Sequence, residues 1–372
     1  MVRMVYPYQT HFINGIGVDA QAFSRAISLR YGIGILGSFL AISADRRGRK
    51  FGILFGLALY VVGATSVAIH ASFLTFVLAL VLTMLGNLVF IPSMQAYLGD
   101  RVAYQRRGLA LALTELGWSL SLIIGVPLVG WLIAQRGWWA PFPILAVLGL
   151  LAMLILAIIL PKDAPMDVNQ PPAWHNLRQV FTYAPALAGL LMGACMSGGN
   201  EIINLVFERW MVDAFQVQIL AMGITAVVIG FSDLMGELLV AGITDALGKT
   251  RAIAIGLVLN SLAVLCLPIL GSSLPGAIAG LGLIYLTFEF TMVSSIPMLT
   301  EVMPTVRATF MAGFFASTVA GRAFGALAAP GLYSLGQNSQ WIGGIWIIAG
   351  SAALANMLAL SGVIYIRRNL HL

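Results

Sequence analysis

The chain alternates long apolar stretches with short polar segments, a pattern that predicts membrane-spanning helices. About 20 mostly apolar residues are needed to cross the hydrocarbon core of a bilayer. Stretches of that length have the approximate limits 21–44, 51–70, 73–97, 108–134, 140–160, 184–208, 218–243, 252–271, 275–299, 308–335 and 341–366. We therefore expect an all-α membrane protein with eleven complete transmembrane helices.

The first residues predict part of one further helix. Met1 to Tyr8 is mostly apolar, and the polar segment Gln9 to Gly15 follows it. A helix of about a dozen residues, rising about 1.5 Å per residue, cannot cross a core of about 30 Å. The sequence therefore indicates only the outer half of a first helix, as a truncated chain or a misplaced start would give.

The longest polar, proline-bearing segment covers residues 161–174 and falls between two groups of apolar stretches. We expect an N-terminal transmembrane bundle at residues 1–160, a cytoplasmic linker at 161–183 and a C-terminal bundle at 184–372. Apolar side chains share one face of residues 175–183, which predicts a short amphipathic helix at the membrane interface.

The composition excludes a soluble globular protein, since 60% of the residues are apolar, 9% are charged and 40 of 372 are glycine. The two cysteines, Cys195 and Cys266, lie inside predicted helices, which argues against a structural disulfide. The sequence has no metal-ligand spacing, no catalytic dyad at membrane depth and no phosphate-binding glycine loop. We expect no enzyme activity and no cofactor.

The basic residues are sorted by loop rather than gathered into one patch, so the net charge of +6 does not indicate nucleic-acid binding. Those on one side of the predicted topology are Arg46, Arg47, Arg49, Lys50, Arg101, Arg106, Arg107, Lys162, Arg178, Lys249, Arg251, Arg307, Arg367 and Arg368. The positive-inside rule makes this side cytoplasmic, and we expect an inner-membrane protein with a cytoplasmic C-terminus. Trp138 and Trp139 then fall at the outer interface, where indole rings anchor helix ends.

A charged corner occurs twice between apolar stretches. Residues 37–50 read GSFLAISADRRGRK, and residues 236–251 read GELLVAGITDALGKTR. At a spacing of 200 residues, Asp45 corresponds to Asp245 and Gly48 corresponds to Gly248. Two copies of one membrane unit account for this repeat.

The first copy of this corner resembles the loop between transmembrane helices 2 and 3 of the major facilitator superfamily. The signature of that loop is approximately G-x-x-x-D-R-x-G-R-K, and Ala41 replaces its first glycine here. The resemblance implies two pseudo-symmetric six-helix bundles, each built from inverted three-helix repeats. In such transporters a site near the membrane midplane is exposed to the two sides in turn.

Acid-to-arginine loops at the cytoplasmic ends of helices are candidate gate elements. Segment 92–108 and its counterpart 297–308 each place an acid before a short basic loop. Such loops can lock helix ends together in one state. The candidate gate residues are Asp45, Arg46, Gly48, Arg49, Asp100, Arg107, Glu237, Asp245 and Gly248. Arg47, Lys50 and Arg101 are interpreted as topology determinants only.

The sequence Gly125-Val-Pro127-Leu-Val-Gly130 resembles, incompletely, the glycine and proline motif that drug:proton antiporters of the superfamily carry on their fifth helix. The usual adjacent Gly-Pro and terminal Gly-Gly pairs are lacking. Because glycine and proline are common in membrane helices, close helix packing explains these residues as well as an antiporter motif does.

Polar side chains within the predicted spans are candidates for transport. A charge at the middle of a span costs at least about 2.5 kcal/mol unless it is paired or hydrated. The candidate substrate or proton residues are Arg30, Asn87, Glu115, Asn200, Glu201, Asp233, Glu289 and Arg322. Asp233 and Glu289 are the preferred proton carriers, and a static charge pair that pins helices is the alternative. Glu208 and Arg209, at the end of a span, are expected to be solvated.

These features together predict a secondary active transporter that moves a small solute by alternating access, with protons as the driving ion. The partial helix-5 motif favours an exporter of drugs or metabolites, whereas Arg30 and Arg322 favour a symporter of an organic anion with protons. A membrane sensor or scaffold that has lost transport is the third alternative. The expected partners are the solute, protons and the lipid bilayer, and the protein is expected to act as a monomer without nucleic acid.

Overall fold

The computed structural model describes residues 2–45, 48–101, 114, 117–161, 173–338 and 343–370. These residues form helices and turns, with no strand among them. The α-helices are α1 (Gln9–Ile16), α2 (Ala20–Asp45), α3 (Arg49–Ile69), α4 (Phe73–Arg101), α5 (Gly117–Arg136), α6 (Pro141–Ile159), α7 (Ala173–Thr182), α8 (Ala184–Asn204), α9 (Phe207–Phe215), α10 (Ile219–Leu247), α11 (Lys249–Leu270), α12 (Leu274–Val302), α13 (Arg307–Asn338) and α14 (Gly344–Leu370).

The predicted all-α membrane class is confirmed. Within the described residues, ten helical segments are long and apolar enough to cross a membrane. The 26-residue helix α2 covers the remaining predicted span, 21–44. The helix ends follow local signals: the Asp19 carboxylate accepts a hydrogen bond from the Ala22 amide at the start of α2, and the Ser273 hydroxyl accepts one from the Gly276 amide at the start of α12.

The segment predicted as half of a helix is not one continuous helix. Val2–Val5 forms a 3-10 turn, and α1 begins only at Gln9. Pro7 lies between them and has no backbone N–H to donate, which favours a break at this point. Gly17 then ends α1 with φ at +78°, a conformation that glycine adopts readily.

The chain divides into two compact units, Met1–Gln170 and Pro171–Leu372. The division falls within the polar segment predicted as a linker. The first unit contains α1 to α6, and the second contains α7 to α14. Helix α7 matches the short amphipathic helix predicted from residues 175–183.

In the first unit, α4 packs on α2 and α3, and α3 packs on α6. Its aromatic cluster corrects one expectation about the interface tryptophans. Trp139 is exposed, but Trp138 is only 7% exposed, and its ring meets those of Phe12, Phe76 and Phe142 at centroid separations near 6 Å. Edge-to-face aromatic packing, rather than anchoring to headgroups, accounts for this buried indole.

In the second unit, α8 packs on α13 and α14, while α12 packs on α10 and α11. The contact of α8 with α13 depends on glycine. A Cβ atom at Gly321 would lie 2.0 Å from the Ala194 carbonyl oxygen, and a Cβ at Gly325 would lie 2.4 Å from the Gly198 oxygen. Only residues without side chains allow membrane helices to approach this closely.

Candidate functional site

A partly buried ion pair joins two helices of the second unit. Glu201 on α8 is 0% exposed, and its Oε2 atom lies 3.1 Å from Nη1 of Arg322 on α13. The Arg322 side chain is 25% exposed. The glycine contacts of α8 with α13 lie beside this ion pair, because a Cβ at Gly325 would also lie 3.2 Å from the Glu201 Cβ. Close backbone packing therefore brings the carboxylate and guanidinium within reach.

Two further side chains extend this pair into a hydrogen-bonded network. The Asn204 amide nitrogen donates to the same Oε2 atom of Glu201 over 3.2 Å. The hydroxyl of Tyr285, on α12, donates to the Asn204 amide oxygen. Three helices thus supply one network, which we call the Glu201 network: Glu201, Asn204, Tyr285 and Arg322.

The two α8 members of the Glu201 network, Glu201 and Asn204, lie on a polar face of that helix. Ser197, Asn200, Glu201 and Asn204 follow the spacing i, i+3, i+4 and i+7, which aligns side chains on one side of a helix. Ser197 and Asn200 are buried, and in the described part of the chain their Oγ and Oδ1 atoms have no hydrogen-bond partner. Buried polar atoms are usually satisfied by a partner, water or ligand. Asn200 therefore stays a candidate substrate contact, and Ser197 joins it.

The two preferred proton carriers lie on neighbouring helices of the same unit. Asp233 on α10 is buried, at 5% exposure, whereas Glu289 on α12 is half-buried. Gly236 allows the close approach of α10 to α12, since a Cβ there would lie 3.0 Å from the Glu289 Cβ. Glu237, one residue further along α10, is also half-buried. All three acids remain predicted site residues.

A second polar network in this unit pins helices together. The Asn260 amide of α11 donates to the Ile284 carbonyl and to the Thr287 hydroxyl of α12, over 2.8 and 2.9 Å. Asn356 of α14 donates to the Asn260 amide oxygen over 2.8 Å. All of these groups are buried, and their mutual hydrogen bonds suit a structural role.

In the first unit, Arg30 lies in a tyrosine cluster. Its side chain is 1% exposed, its Nη2 atom lies 3.2 Å from the Tyr6 hydroxyl, and its guanidinium lies 4.1 Å from the centre of the Tyr31 ring. The two tyrosine hydroxyls are 2.8 Å apart. The site is compatible with cation–π stabilisation of a buried cation. Of the other candidates, Asn87 is half-buried on α4, and Glu115 lies outside the described residues.

Helix α5 changes its winding at the motif residues. A π-helical turn covers Ser121–Gly125 and is followed directly by Val126 and Pro127. The Tyr8 hydroxyl donates to the Val126 carbonyl over 2.9 Å, and a Cβ at Gly130 would lie 2.2 Å from that hydroxyl oxygen. Gly130 therefore makes room for Tyr8. Single π turns inside helices are frequent at functional sites, which leaves the antiporter interpretation open.

The predicted gate is described in part. Arg46 and Arg107 lie outside the described residues, as do the side chains of Asp45, Asp100 and Asp245. The two corner glycines are described: Gly48 has φ of +104° and Gly248 has φ of +82°, and each directly precedes a helix, α3 beginning at Arg49 and α11 at Lys249.

Two contacts of this region were not predicted. Lys249, after the second corner glycine, forms a salt bridge with Glu301 near the end of α12. Lys50, interpreted from the sequence as a topology determinant, donates to the carbonyls of Ala157 and Leu160 over 2.7 and 2.5 Å. It therefore caps the carboxyl end of α6, where unpaired carbonyls attract a cation.

The expectation that Glu208 is solvated is wrong. The chain leaves α8 at Leu205 and begins α9 at Phe207, and Glu208 is then 1% exposed. Arg209 is exposed, as expected, and lies 3.7 Å from Asp213. The Asp213 carboxylate also accepts hydrogen bonds from Tyr333 and Gln337 of α13, both over 3.1 Å. The helix break turns Glu208 inward, and the apolar residues Leu205, Val206 and Phe207 do not reveal such a break in the sequence.

The family comparison covers almost all of the first unit and the start of the second. A model of the Major Facilitator Superfamily matches residues 2–199. The chain belongs to this superfamily. It is therefore a multi-pass membrane protein of a transporter family and not an enzyme.

Three relatives of this chain are between 23% and 28% identical to it in sequence. "Uncharacterized MFS-type transporter YwfA" of Bacillus subtilis is 26% identical over 70% of this chain and 66% of its own length. "Uncharacterized MFS-type transporter YceJ" of the same organism is 23% identical over 81% and 76%. "Multidrug resistance protein MdtH" of Photorhabdus laumondii is 28% identical over 51% and 49%. The match thus spans about two thirds of the YwfA relative.

Solved structures share the fold. A bacterial homolog of the human lysosomal transporter Spinster, in an inward-facing and occupied conformation, has a TM-score of 0.76 at 14% identity and covers 98% of this chain and 92% of its own. A D-xylose-proton symporter has a TM-score of 0.73 at 15% identity, over 96% and 94%. At these identities the likeness is one of fold alone.

Proposed function

We propose that this superfamily member is a proton-coupled secondary transporter that exports small solutes by alternating access. The observation that carries the proposal is the ion pair of the buried Glu201 with the partly buried Arg322, 3.1 Å apart on different helices of one unit. A carboxylate within a membrane-spanning helix is costly and marks a functional site by default.

Protonation gives this pair two states. While Glu201 is ionised, its attraction for Arg322 holds α8 and α13 together at this level. A proton on Glu201 removes the negative charge and leaves a guanidinium that needs hydration or another anion. The proton thereby favours a different arrangement of the two helices, as coupling to alternating access requires. Asp233 and Glu289 are proposed as further proton-binding groups of the same unit.

Two features favour export as the direction of transport. Helix α5 carries the partial antiporter motif, with a π-helical turn at Ser121–Gly125 directly before its proline. Some relatives, including the one in Photorhabdus laumondii, are named multidrug resistance proteins. The sorting of basic residues supports an inner-membrane location with the C-terminus in the cytoplasm.

The test is transport by the purified protein in proteoliposomes that contain a pH-sensitive dye in the lumen. A panel of cationic, neutral and anionic solutes is added under an imposed pH gradient. Antiport moves protons against the direction of the solute, and symport moves them with it. Absence of proton-linked flux for every solute in the panel contradicts the proposal.

A symporter of organic anions is the second candidate, and Arg30 is the observation that favours it. A guanidinium that is 1% exposed, beside the hydroxyl of Tyr6 and the ring of Tyr31, is suited to attract a carboxylate or phosphate. Flux of anionic solutes together with protons, abolished by Arg30→Gln, supports this candidate over export.

A scaffold without transport is distinguished by neutralising the other acids. Asp233→Asn and Glu289→Gln remove two carboxylates from the second unit with little change in volume. A proton-coupled carrier should lose at least part of its pH dependence in these variants. A scaffold should tolerate both changes without effect on its cellular role.

A further inference from the structure

We propose that Tyr285 is a positioning residue for the Glu201 carboxylate and that it acts through Asn204. The inference rests on the proposed function in one respect, namely that Glu201 is a group that takes up the proton. Tyr285 lies on α12, whereas Glu201 and Asn204 lie on α8. It is separated from Asn204 by 81 residues and was not a candidate from the sequence.

The direction of each hydrogen bond carries the argument. An asparagine amide has an oxygen that accepts and a nitrogen that donates. The Tyr285 hydroxyl donates to the Asn204 oxygen, so the amide nitrogen is turned toward Glu201, 3.2 Å from Oε2. Without that hydroxyl the amide can rotate and bring its oxygen toward the carboxylate, which is repulsive. Tyr285 therefore selects the orientation of Asn204 that stabilises an ionised Glu201.

Charged side chains lie on each of the helices that contact α8. Arg322 of α13 donates to the same carboxylate oxygen of Glu201 over 3.1 Å. Helix α9 carries Glu208, Arg209 and Asp213, and α12 carries Glu301 as well as Glu289, which lies one turn beyond Tyr285. The other charged residues lie near helix ends: Arg178 on α7, Arg307 at the start of α13, and Arg367 and Arg368 in the last turn of α14.

The chain of donors has a consequence for protonation. Hydrogen bonds to an ionised carboxylate are stronger than those to its neutral form, and a chain of bonds polarises its members in the same direction. Removing the Tyr285 hydroxyl weakens the contact of Asn204 with the Glu201 carboxylate. Because the proposed function makes Glu201 the group that takes up the proton, Tyr285→Phe should change the pH profile of transport.

The experiment measures exchange of labelled for unlabelled solute by the reconstituted full chain at a series of uniform pH values. Glu201→Gln should flatten this pH profile, because residue 201 then carries no ionisable group. We expect Asn204→Leu, which loses a charge-assisted hydrogen bond, to displace the profile, and Tyr285→Phe to displace it in the same direction by a smaller amount.

The matched control is Tyr333→Phe. Tyr333 is also a buried tyrosine of the second unit, but its hydroxyl donates to Asp213 rather than to the Glu201 network. Its variant should keep the pH profile of the unmodified protein. If Tyr285→Phe is not recovered folded, Tyr285→Met, which also lacks the hydroxyl, replaces it and should displace the profile in the same direction.

An unchanged pH profile in Tyr285→Phe, or an equal displacement in Tyr333→Phe, overturns the inference. Proton-linked flux is measured separately in the same vesicles. A displaced exchange profile without proton-linked flux contradicts the proposed function and leaves Tyr285 as a positioning residue. Proton-linked flux with an unchanged profile contradicts the role of Tyr285 alone.

Discussion

Gly48 and Gly248, separated by 200 residues, both adopt a positive φ directly before a helix, at +104° and +82°. With ψ values of 159° and 136°, each lies in a backbone region that is essentially restricted to glycine. The repeat read from the sequence is therefore also a repeat of backbone geometry. Gly48 leads into α3 and Gly248 leads into α11 in this shared backbone conformation.

A side chain at either corner should destabilise the protein. Gly48→Ala and Gly248→Ala each force a residue with a Cβ into this region, at a cost of about 1–3 kcal/mol. Thermal unfolding in detergent should show a lower Tm for both variants. Gly350→Ala is the control, since that glycine lies within α14 and a Cβ there meets nothing within 4 Å. Equal Tm values for the corner and control variants contradict the account.

Lys50 should stabilise the first unit through its contacts with α6. Lys50→Met keeps the length of the side chain but removes the donor to the Ala157 and Leu160 carbonyls, which should cost about 1 kcal/mol. Arg101→Met is the matched control, because Arg101 is exposed and its guanidinium lies over the ring of Tyr97. A drop in Tm for Arg101→Met as large as that for Lys50→Met argues against a specific cap.

The salt bridge of Lys249 with Glu301 offers a charge-exchange test. Both side chains are more than a third exposed, so the pair should contribute only about 0–1 kcal/mol to stability. Lys249→Glu should slow transport by placing two acids together at this corner, and the double variant with Glu301→Lys should restore the rate. If the double variant still transports more slowly than the unmodified protein, Lys249 acts through another partner.

The network of Asn260 and Asn356 should support stability more than transport. Asn260→Leu leaves the Asn356 amide without its acceptor and should cost about 1 kcal/mol, the scale of hydrogen bonds between membrane helices. Chemical unfolding in mixed micelles measures this cost, with Asn369→Leu as an exposed control on α14. A pH profile of transport that changes in Asn260→Leu assigns this network to the mechanism instead.

The helices could be predicted from the sequence because a span needs a minimum apolar length and charged or glycine-containing corners end it. The predicted span 51–70 became Arg49–Ile69, and 275–299 became Leu274–Val302. The break after Asn204 was missed, since the apolar residues Leu205, Val206 and Phe207 give no turn signal. The burial of Glu208 follows from that break and was missed with it.

The candidate site could be predicted only as separate residues. Glu201 and Arg322 each stood out as charges inside apolar spans, but their pairing depends on how glycines bring α8 against α13. Tyr285 could not be singled out from the sequence, because tyrosine is a common residue in apolar helices. Lys50 looked like a loop charge because the carbonyls that it caps lie more than 100 residues away in the chain.

The most direct test of proton coupling through the ion pair is Glu201→Gln in proteoliposomes, with two transport modes measured on the same preparation. For a solute that the unmodified protein transports, the variant should lose flux driven by a pH gradient, because residue 201 no longer carries a titrating charge. Exchange of labelled for unlabelled solute at uniform pH should persist, because that mode needs no net proton transfer. Gradient-driven flux in Glu201→Gln equal to that of the unmodified protein contradicts the account.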